Sequence, residues 1–350
     1  MSLSEGLILG IETSCDETAA AVVAGGIHVR SSVVASQERV HAAFGGVVPE
    51  IASRKHTEAL TGVVEAALRE AEIGWSDLSG IGVTNGPGLI GSLLVGVSAA
   101  KAYHAATGLP LVGINHLHAH VAANFAHICG DPLTCDALPA ICLVVSGGHS
   151  DIVFLRRPGD YEVLAATVDD AAGEAFDKAA RVLGLGYPGG PAIARAAEAG
   201  NPAAYALPRP RVGESLDFSF SGLKTALIRQ LQQIQGLPLS EQPGEPTGQM
   251  QADLAASFQS AVVETLVRNT MQAVTAAGVS DLAIAGGVAA NRLLRERLAE
   301  ECAAASIAFH RPPPDLCTDN AVMIAIAAAR RLDNGAPDNL NLDVYSAMPR

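Results

Sequence analysis

Two stretches of the chain share one pattern of hydrophobic and polar positions. Leu7 to Ala24 reads as an apolar run (LILGIE), a polar turn (TSCDE) and a second apolar run (TAAAVVA). Ile141 to Leu155 repeats it as ICLVV, SGGHS and DIVFL. Short apolar runs joined by small and polar residues predict, at each place, a hairpin of two largely buried strands. Asp281 to Leu298 is a third related piece, predicted as a strand, a Gly-Gly turn and a helix with Arg292, Arg295 and Arg297 on its polar side. Between these pieces the spacing turns helical. Thr57 to Ala71 has helical apolar periodicity, and Leu89 to Thr107 is apolar nearly all round, which predicts a buried helix. Gln251 to Ala277 places Leu254, Phe258, Ala261, Val262 and Leu266 on one helical face. Asp319 to Leu332 reads as a helix capped by Thr318 and ending near Gly335. The Pro/Gly-rich stretch Gly236 to Gly248 predicts an exposed loop.

Strands alternating with helices indicate α/β architecture. At 350 residues the chain suits two domains or one two-lobed unit. Two copies of a glycine-tipped hairpin suggest two similar lobes facing each other across a ligand cleft, with backbone N–H groups at the turns reaching a phosphate. This is the arrangement of the actin-like ATPase fold. The composition agrees. With 49% hydrophobic and 17% charged residues the chain is not disordered, and with 4% aromatic residues its core is built from Ala, Val, Leu and Ile. A net charge of −13 argues against nonspecific coating of nucleic acid, though not against RNA held by a local basic patch. Three such clusters stand out: Arg54–Lys55, Arg209–Arg211–Lys224 and Arg292–Arg295–Arg297. Cys15, Cys129, Cys135, Cys142, Cys302 and Cys317 form no C-x-x-C motif and read as reduced thiols. No signal peptide or membrane-length apolar run is present, so a soluble cytoplasmic protein is expected.

Several constellations could carry chemistry. In NHLHAH, His116 and His120 share a helical face at i,i+4 spacing, which suits either one metal ion or a structural pair. In LCTDNA, Asp319 reads as a third ligand or as a carboxylate favoured at a helix start. In VVSGGHS, Ser146, Gly147 and Gly148 offer backbone donors to a phosphate, or form an ordinary turn. In GEAFDKAAR, Glu174, Asp177, Lys178 and Arg181 suit an ion-paired surface or a grip on a ribose. In AGGVAANRLL, the glycines permit close approach of a flat group, and Asn291 could hydrogen-bond it. SLDFSFSGLKTA sets Ser219, Ser221, Lys224 and Thr225 among Phe218, Phe220 and Leu223, with no hydrolase triad spacing.

Taken together and in this order, GIETSCDETAAAVV, VPEIASRKH, NGPGLIGSLLVG, INHLHAH, LVVSGGHS, GEAFDKAAR, YPGGP, DFSFSGLKTA, AGGVAANRLLRERL and CTDNAVMIA resemble the tRNA N6-adenosine threonylcarbamoyltransferase family in its bacterial form. These enzymes were formerly described as O-sialoglycoprotein endopeptidases. The resemblance runs from about Leu7 to Arg331. It implies a duplicated RNase H-like, actin-like fold: one lobe of residues 1–112 plus 321–350, and a second of 113–320 carrying the metal and nucleotide site. It implies transfer of threonylcarbamoyl from threonylcarbamoyl-AMP to N6 of the adenosine next to the anticodon in tRNAs reading ANN codons. The products are N6-threonylcarbamoyladenosine and AMP. His116, His120 and Asp319 would hold one divalent metal, Fe2+ in first place and Zn2+ in second. Val144, Val145, Ser146, Gly147 and Gly148 would contact the acyl or phosphate part, and Asp177, Gly190 and Asn291 the nucleoside. Some relatives carry an acidic residue where this chain has Ala194. Glu12 and Asp16 are the candidate catalytic carboxylates. Partners would be tRNA, a smaller paralogue of the same fold and a P-loop ATPase, with no membrane.

Rival readings use the same residues. A metallopeptidase of the zincin type requires a glutamate beside the first histidine, where Leu117 stands. A small-molecule carbamoyltransferase or sugar kinase is compatible with the fold, which alone does not determine function. A non-catalytic scaffold would have no need of both histidines and Asp319.

Overall fold

β1 (Leu7–Glu12), β2 (Glu17–Ala24) and β3 (His28–Ser36) form an antiparallel meander. The computed structural model describes residues 6–129, 137–157, 159–313, 316–335 and 337–347. Cys135 and the side chain of Cys129 lie outside the described residues. After the meander come α1 (Glu38–Ala42) and α2 (Pro49–Glu70). β4 (Leu78–Gly86) then adds parallel to β1, and β5 (Leu111–Asn115) parallel to β4. The first sheet therefore has the order β3-β2-β1-β4-β5. α3 (Ile90–Thr107) connects β4 to β5, and α4 (His116–Cys129) follows β5 without a break.

The second sheet repeats this plan. β6 (Ala140–Val145), β7 (Ser150–Arg157) and β8 (Asp160–Ala165) form the meander, with β9 (Asp281–Ala285) parallel to β6 and β10 (Ala308–His310) parallel to β9. Its order, β10-β9-β6-β7-β8, is the first sheet's order read from the other edge. Between β8 and β9 lie α5 (Ala172–Val182), α6 (Gly189–Ala197), α7 (Ser221–Gln235) and α8 (Gly248–Ala277). α9 (Arg292–Ala305) joins β9 to β10, and α10 (Ala321–Asn334) follows. Both predicted hairpins are present. The third piece is β9, a 3-10 turn at Gly287–Ala290 and α9; its counterpart in the first sheet is β4, the Pro87–Gly88 turn and α3.

The chain divides into two compact units, Met1–Asp136 with Thr318–Arg350, and Ala137–Cys317. The expected boundaries at 112/113 and 320/321 are therefore displaced. β5 bonds to β4 in the first sheet and carries α4 with it, and α4 packs on α10. His116, His120 and Asp319 consequently all belong to the first unit, not to the second lobe as expected.

One face of the first sheet packs on α2 and α3 through Leu9, Ile11, Val22, Leu60, Val64, Ile81 and Val97. α2 starts well before the predicted Thr57, because Pro49 occupies its first turn, where a missing N–H costs nothing. α3 is buried on only one face, by Ser92, Leu93, Gly96, Val97 and Ala100; Ile90 and Leu94 remain exposed, which corrects the expectation of a fully buried helix. On the sheet's other face Gly10 and Gly80 let α10 lie against the strands. A Cβ on Gly10 would stand 2.6 Å from the Ala325 nitrogen, and one on Gly80 2.5 Å from Leu332 Cδ1. Gly10→Ala is therefore expected to destabilise the protein by about 1–3 kcal/mol through overpacking. Gly62→Ala, inside α2 with no atom within 4 Å of the new methyl, should instead stabilise it by up to about 1 kcal/mol. Urea unfolding of both variants checks the contrast.

In the second unit α8 places Leu254, Phe258, Ala261, Val262 and Leu266 in one core with Ile141, Leu143, Val145, Leu282 and Ile284 of the sheet. Gly236 to Gly248 joins α7 to α8 as the predicted loop. Among the described residues no helix is long and apolar enough to cross a membrane.

Candidate active site

β1, β4 and β5 are parallel, so their C-terminal ends share one edge of the first sheet, and there the chemistry gathers. β5 runs straight into α4, with His116 as the first helical residue and His120 one turn later on the same face. Asn115 Oδ1 accepts the His118 N–H at 2.9 Å and fixes the helix start. Asp319 precedes α10 rather than lying inside it. The helix is capped by Asn320, whose Oδ1 accepts Met323 N–H at 3.0 Å, and not by Thr318 as expected. Asp319 Oδ1 stands 3.1 Å from His120 Nε2 and 3.4 Å from His116 Nε2. One ligand atom from each residue falls within 4.8 Å of the others. Two imidazoles and a carboxylate turned toward one point are a donor set that fits a single divalent transition metal with open positions. His118 points away, and burial pushes its imidazole down to about 4.

Burial disfavours charge on all these groups, yet mutual attraction prevails. His116 is held well above the ordinary histidine range because Asp319 and Glu12 outweigh its burial. Asp319 is held well below the carboxylate range because His116 and His120 outweigh its own.

Glu12 is wholly buried at the end of β1, and both of its oxygens are hydrogen-bonded. Its Oε1 accepts Ser14 N–H at 2.5 Å, and its Oε2 accepts the Thr84 hydroxyl at 2.5 Å and lies 3.2 Å from His116 Nδ1. His116 thus presents Nε2 to Asp319 and Nδ1 to Glu12, the arrangement by which a carboxylate orients a metal-binding imidazole. Glu12 thus stands against His116, on the side of the ring away from Asp319. Asp16, half-buried in the β1–β2 turn, is the freer carboxylate. Beside it stands Glu17, which sequence reasoning missed. Burial first, then the charges of Asp16 and Asp319, push Glu17 up to about 10, so it holds a proton at neutral pH. Cys15 remains a thiol, raised chiefly by burial.

A second missed residue is His56, fully buried on α2. Its Nε2 donates to the Cys15 carbonyl at 2.9 Å, so its Nδ1 accepts the Thr18 hydroxyl at 2.8 Å. Val48 N–H donates to His41 Nδ1 at 3.3 Å, so His41 Nε2 donates to Gln37 Oε1 at 3.2 Å. Gln37 Nε2 in turn contacts His56 and the Ala52 carbonyl. This chain of buried groups fastens the Thr13–Asp16 turn to the segment after β3.

The remaining expected site residues belong to the second unit. Val144 and Val145 are fully buried in β6, which lies between β9 and β7. In the following turn Ser146 N–H donates to the His149 carbonyl at 2.8 Å, so that backbone donor is engaged within the turn. Gly147 and Gly148 are exposed, and their N–H groups have no acceptor among the described residues. Gly173 and Glu174 N–H donate to the carbonyls of Ser146 and Gly147, and a Cβ on Gly173 would stand 2.6 Å from Ser146 O. That close approach explains the glycine opening GEAFDK. Asp177 Oδ1 accepts Gly189 N–H at 2.7 Å at the start of α6, beside Gly190. Asn291 caps α9 through Leu294 N–H at 3.1 Å and donates to Gln259 at 3.0 Å. Lys178 pairs with Asp170 and Glu174, so the ion-paired reading holds for that side of α5 while Asp177 faces α6. In SLDFSFSGLKTA, Ser219 and Ser221 bind Asp169 at the start of α7, Ser215 binds Asp217, and Phe218 and Phe220 enter the core.

Asp151, beside this turn, is 6% exposed, and burial pushes its carboxyl up to about 7. An unfolded aspartate titrates near ~4. Between these values the unfolded chain is charged while the folded one keeps the proton. Stability from this group is therefore full at acid pH and falls as pH rises to about 7, by up to ~1.4 kcal/mol per unit. Asp151→Asn should abolish that decline, matching the wild type at low pH and exceeding it at pH above about 7 in urea melts.

A duplicated α/β chain of this strand order defines a protein of the actin-like ATPase fold, here with a His–His–Asp constellation that could hold a metal ion at the edge of its first sheet. Component A of (R)-2-hydroxyglutaryl-CoA dehydratase from Acidaminococcus fermentans shares the fold, with TM-score 0.54 and 14% identity over 93% of this chain and 99% of that one. The family model for tRNA N6-adenosine threonylcarbamoyltransferase matches residues 28–326. The enzyme of that name from Thermomicrobium roseum is 50% identical, covering 98% of this chain and 96% of the relative. That from Desulfitobacterium hafniense is 53% identical over 95% of each. The chain belongs to the tRNA N6-adenosine threonylcarbamoyltransferase family.

Proposed function

We propose that the chain transfers threonylcarbamoyl from threonylcarbamoyl-AMP to N6 of the adenosine next to the anticodon in tRNAs reading ANN codons. The near full-length family match, together with the buried His116–His120–Asp319 constellation, carries this reading. In the reaction the exocyclic amine attacks the carbamoyl carbon. A C–N bond forms, the C–O bond to phosphate breaks, AMP leaves with the bonding pair, and the amine releases a proton.

His116, His120 and Asp319 hold one divalent metal, Fe2+ in first place and Zn2+ in second, and Glu12 orients His116 through Nδ1. A metal held there would supply Lewis acidity. Asp16, with protonated Glu17 at its side, is the carboxylate available to take the proton. The free N–H groups of Gly147 and Gly148 bind the phosphate or the developing oxyanion, with the backbone of Val144, Val145 and Ser146 shaping the turn. Asp177, Gly190 and Asn291 hold the nucleoside; Ala194 offers no hydrogen bond there. Partners are tRNA, a smaller paralogue of the same fold and a P-loop ATPase, in the cytoplasm.

The test is reconstitution. The metal-loaded chain, with these partners from its source, is mixed with threonylcarbamoyl-AMP and an unmodified ANN-reading tRNA transcript. N6-threonylcarbamoyladenosine and AMP should form in equal amounts. Intact transcript after many enzyme equivalents of donor have been consumed would overturn the reading.

A further inference from the structure

The edge of the first sheet that gathers the metal-binding residues also carries an exposed aromatic that the mechanism does not use. Glu17 pairs with Ser36 across β2 and β3, so the chain leaves β3 beside the Thr13–Asp16 turn. That chain is α1 and the loop Ala43–Val48. Phe44 on this loop is 56% exposed and is the only exposed phenylalanine among the described side chains. The loop is held in place. Phe44 and Gly46 N–H both donate to the His41 carbonyl, and Val48 N–H donates to the His41 ring. His41 is fully buried and continues through Gln37 to His56 and the Cys15 carbonyl. Gly45, at φ +66°, follows the ring and leaves it without a bulky neighbour on that side.

Charge adds an independent observation. Of the basic clusters in the sequence, Arg209 is paired to Glu264, Arg297 to Glu300, Arg292 to Glu296 and Lys55 to Glu58, and Arg295 is turned inward on the Ala289 carbonyl, while Arg211 and Lys224, in the second unit, make no ion pair among the described residues. Arg54, in the second turn of α2, and Arg39, on α1, bracket the Phe44 loop in sequence. Both are exposed, and neither makes an ion pair among the described residues. An exposed ring flanked in sequence by exposed arginines is a combination suited to single-stranded nucleic acid: base on the ring, phosphates on the cations.

We propose that Phe44 is a stacking platform for an unpaired base of the tRNA anticodon loop, with Arg39 and Arg54 contacting the adjoining phosphates. This rests on the reading that tRNA is the acceptor. The chain's overall acidity leaves such contacts to local groups of this kind.

The test measures transfer by the complete enzyme with its partner proteins, varying tRNA at saturating threonylcarbamoyl-AMP. Phe44→Ala and Phe44→Leu should each lower kcat/KM for tRNA by roughly tenfold or more, while Phe44→Trp stays within about twofold of wild type. The KM for threonylcarbamoyl-AMP should not move, and thermal unfolding should match the wild type because the ring is exposed. Arg39→Gln and Arg54→Gln should each reduce the salt slope of tRNA binding by about one. Full activity in Phe44→Ala overturns the proposal. So does full activity in Phe44→Leu beside a loss in Phe44→Ala, which would mark Phe44 as an apolar contact for a partner protein. A wild-type enzyme that consumes donor without modifying tRNA removes the functional reading and this inference together; the wild-type control tells that outcome from the other two.

Discussion

Asp319→Ala is expected to lower threonylcarbamoyl transfer by about 10³-fold or more, beyond the 10–100-fold typical of residues that only support a metal ligand. Among the described residues the carboxylate is the one anionic group that faces both His116 and His120, and without it two imidazoles remain. The fold should survive. Asp319 lies before α10 and caps nothing; Asn320 performs that task. Its removal leaves the buried His116 and His120 without their carboxylate partner. Metal content by elemental analysis should fall with activity, and the metal-free protein should stay folded but unfold at a lower temperature than the metal-free wild type. Full metal binding in an inactive, folded Asp319→Ala would assign the carboxylate to the reaction itself.

The second large effect is expected at Glu12. Glu12→Gln keeps the shape and an acceptor for Ser14 or Thr84, but removes the negative charge from His116 Nδ1. Metal affinity should fall by about 10–100-fold, and transfer at limiting metal should fall with it. Added metal should then restore much of the rate. Glu12→Ala should be worse, because Ser14 N–H and the Thr84 hydroxyl lose a buried acceptor at about 1–3 kcal/mol each. Unchanged metal affinity with no transfer in Glu12→Gln would show that Glu12 acts on the substrate and not through His116.

Much of this was legible in local sequence, and the gaps have a common cause. Both hairpins could be read because each closes over a few residues: the LILGIE and TAAAVVA runs pair directly, as do ICLVV and DIVFL. The His116–His120 face needed only the helical repeat. The unit boundary was misplaced because β5 belongs to the first sheet through its pairing with β4, a contact that no local pattern encodes. Asp319 and Asn320 are adjacent, and local propensity could not say which would cap the helix and which would turn to the histidines. Glu12 reads in sequence as a candidate catalytic carboxylate of the first hairpin. Its role as the partner of His116 spans 104 residues and becomes visible only once β1 and β5 end at one edge. The same holds for His56, which lies one helix away from the turn it fastens. Leu94 and Ile90 misled in the opposite direction: an apolar helix was read as buried, whereas one of its faces stays in solvent.

The central claim is that this chain modifies tRNA through the His116, His120 and Asp319 constellation. The most direct measurement is made in the source organism. The protein is depleted, bulk tRNA is digested to nucleosides, and N6-threonylcarbamoyladenosine is quantified by mass spectrometry. The account predicts that the nucleoside disappears, returns with the wild-type chain and does not return with Asp319→Ala. An unchanged level after confirmed depletion, with no second copy of the protein present, would contradict it.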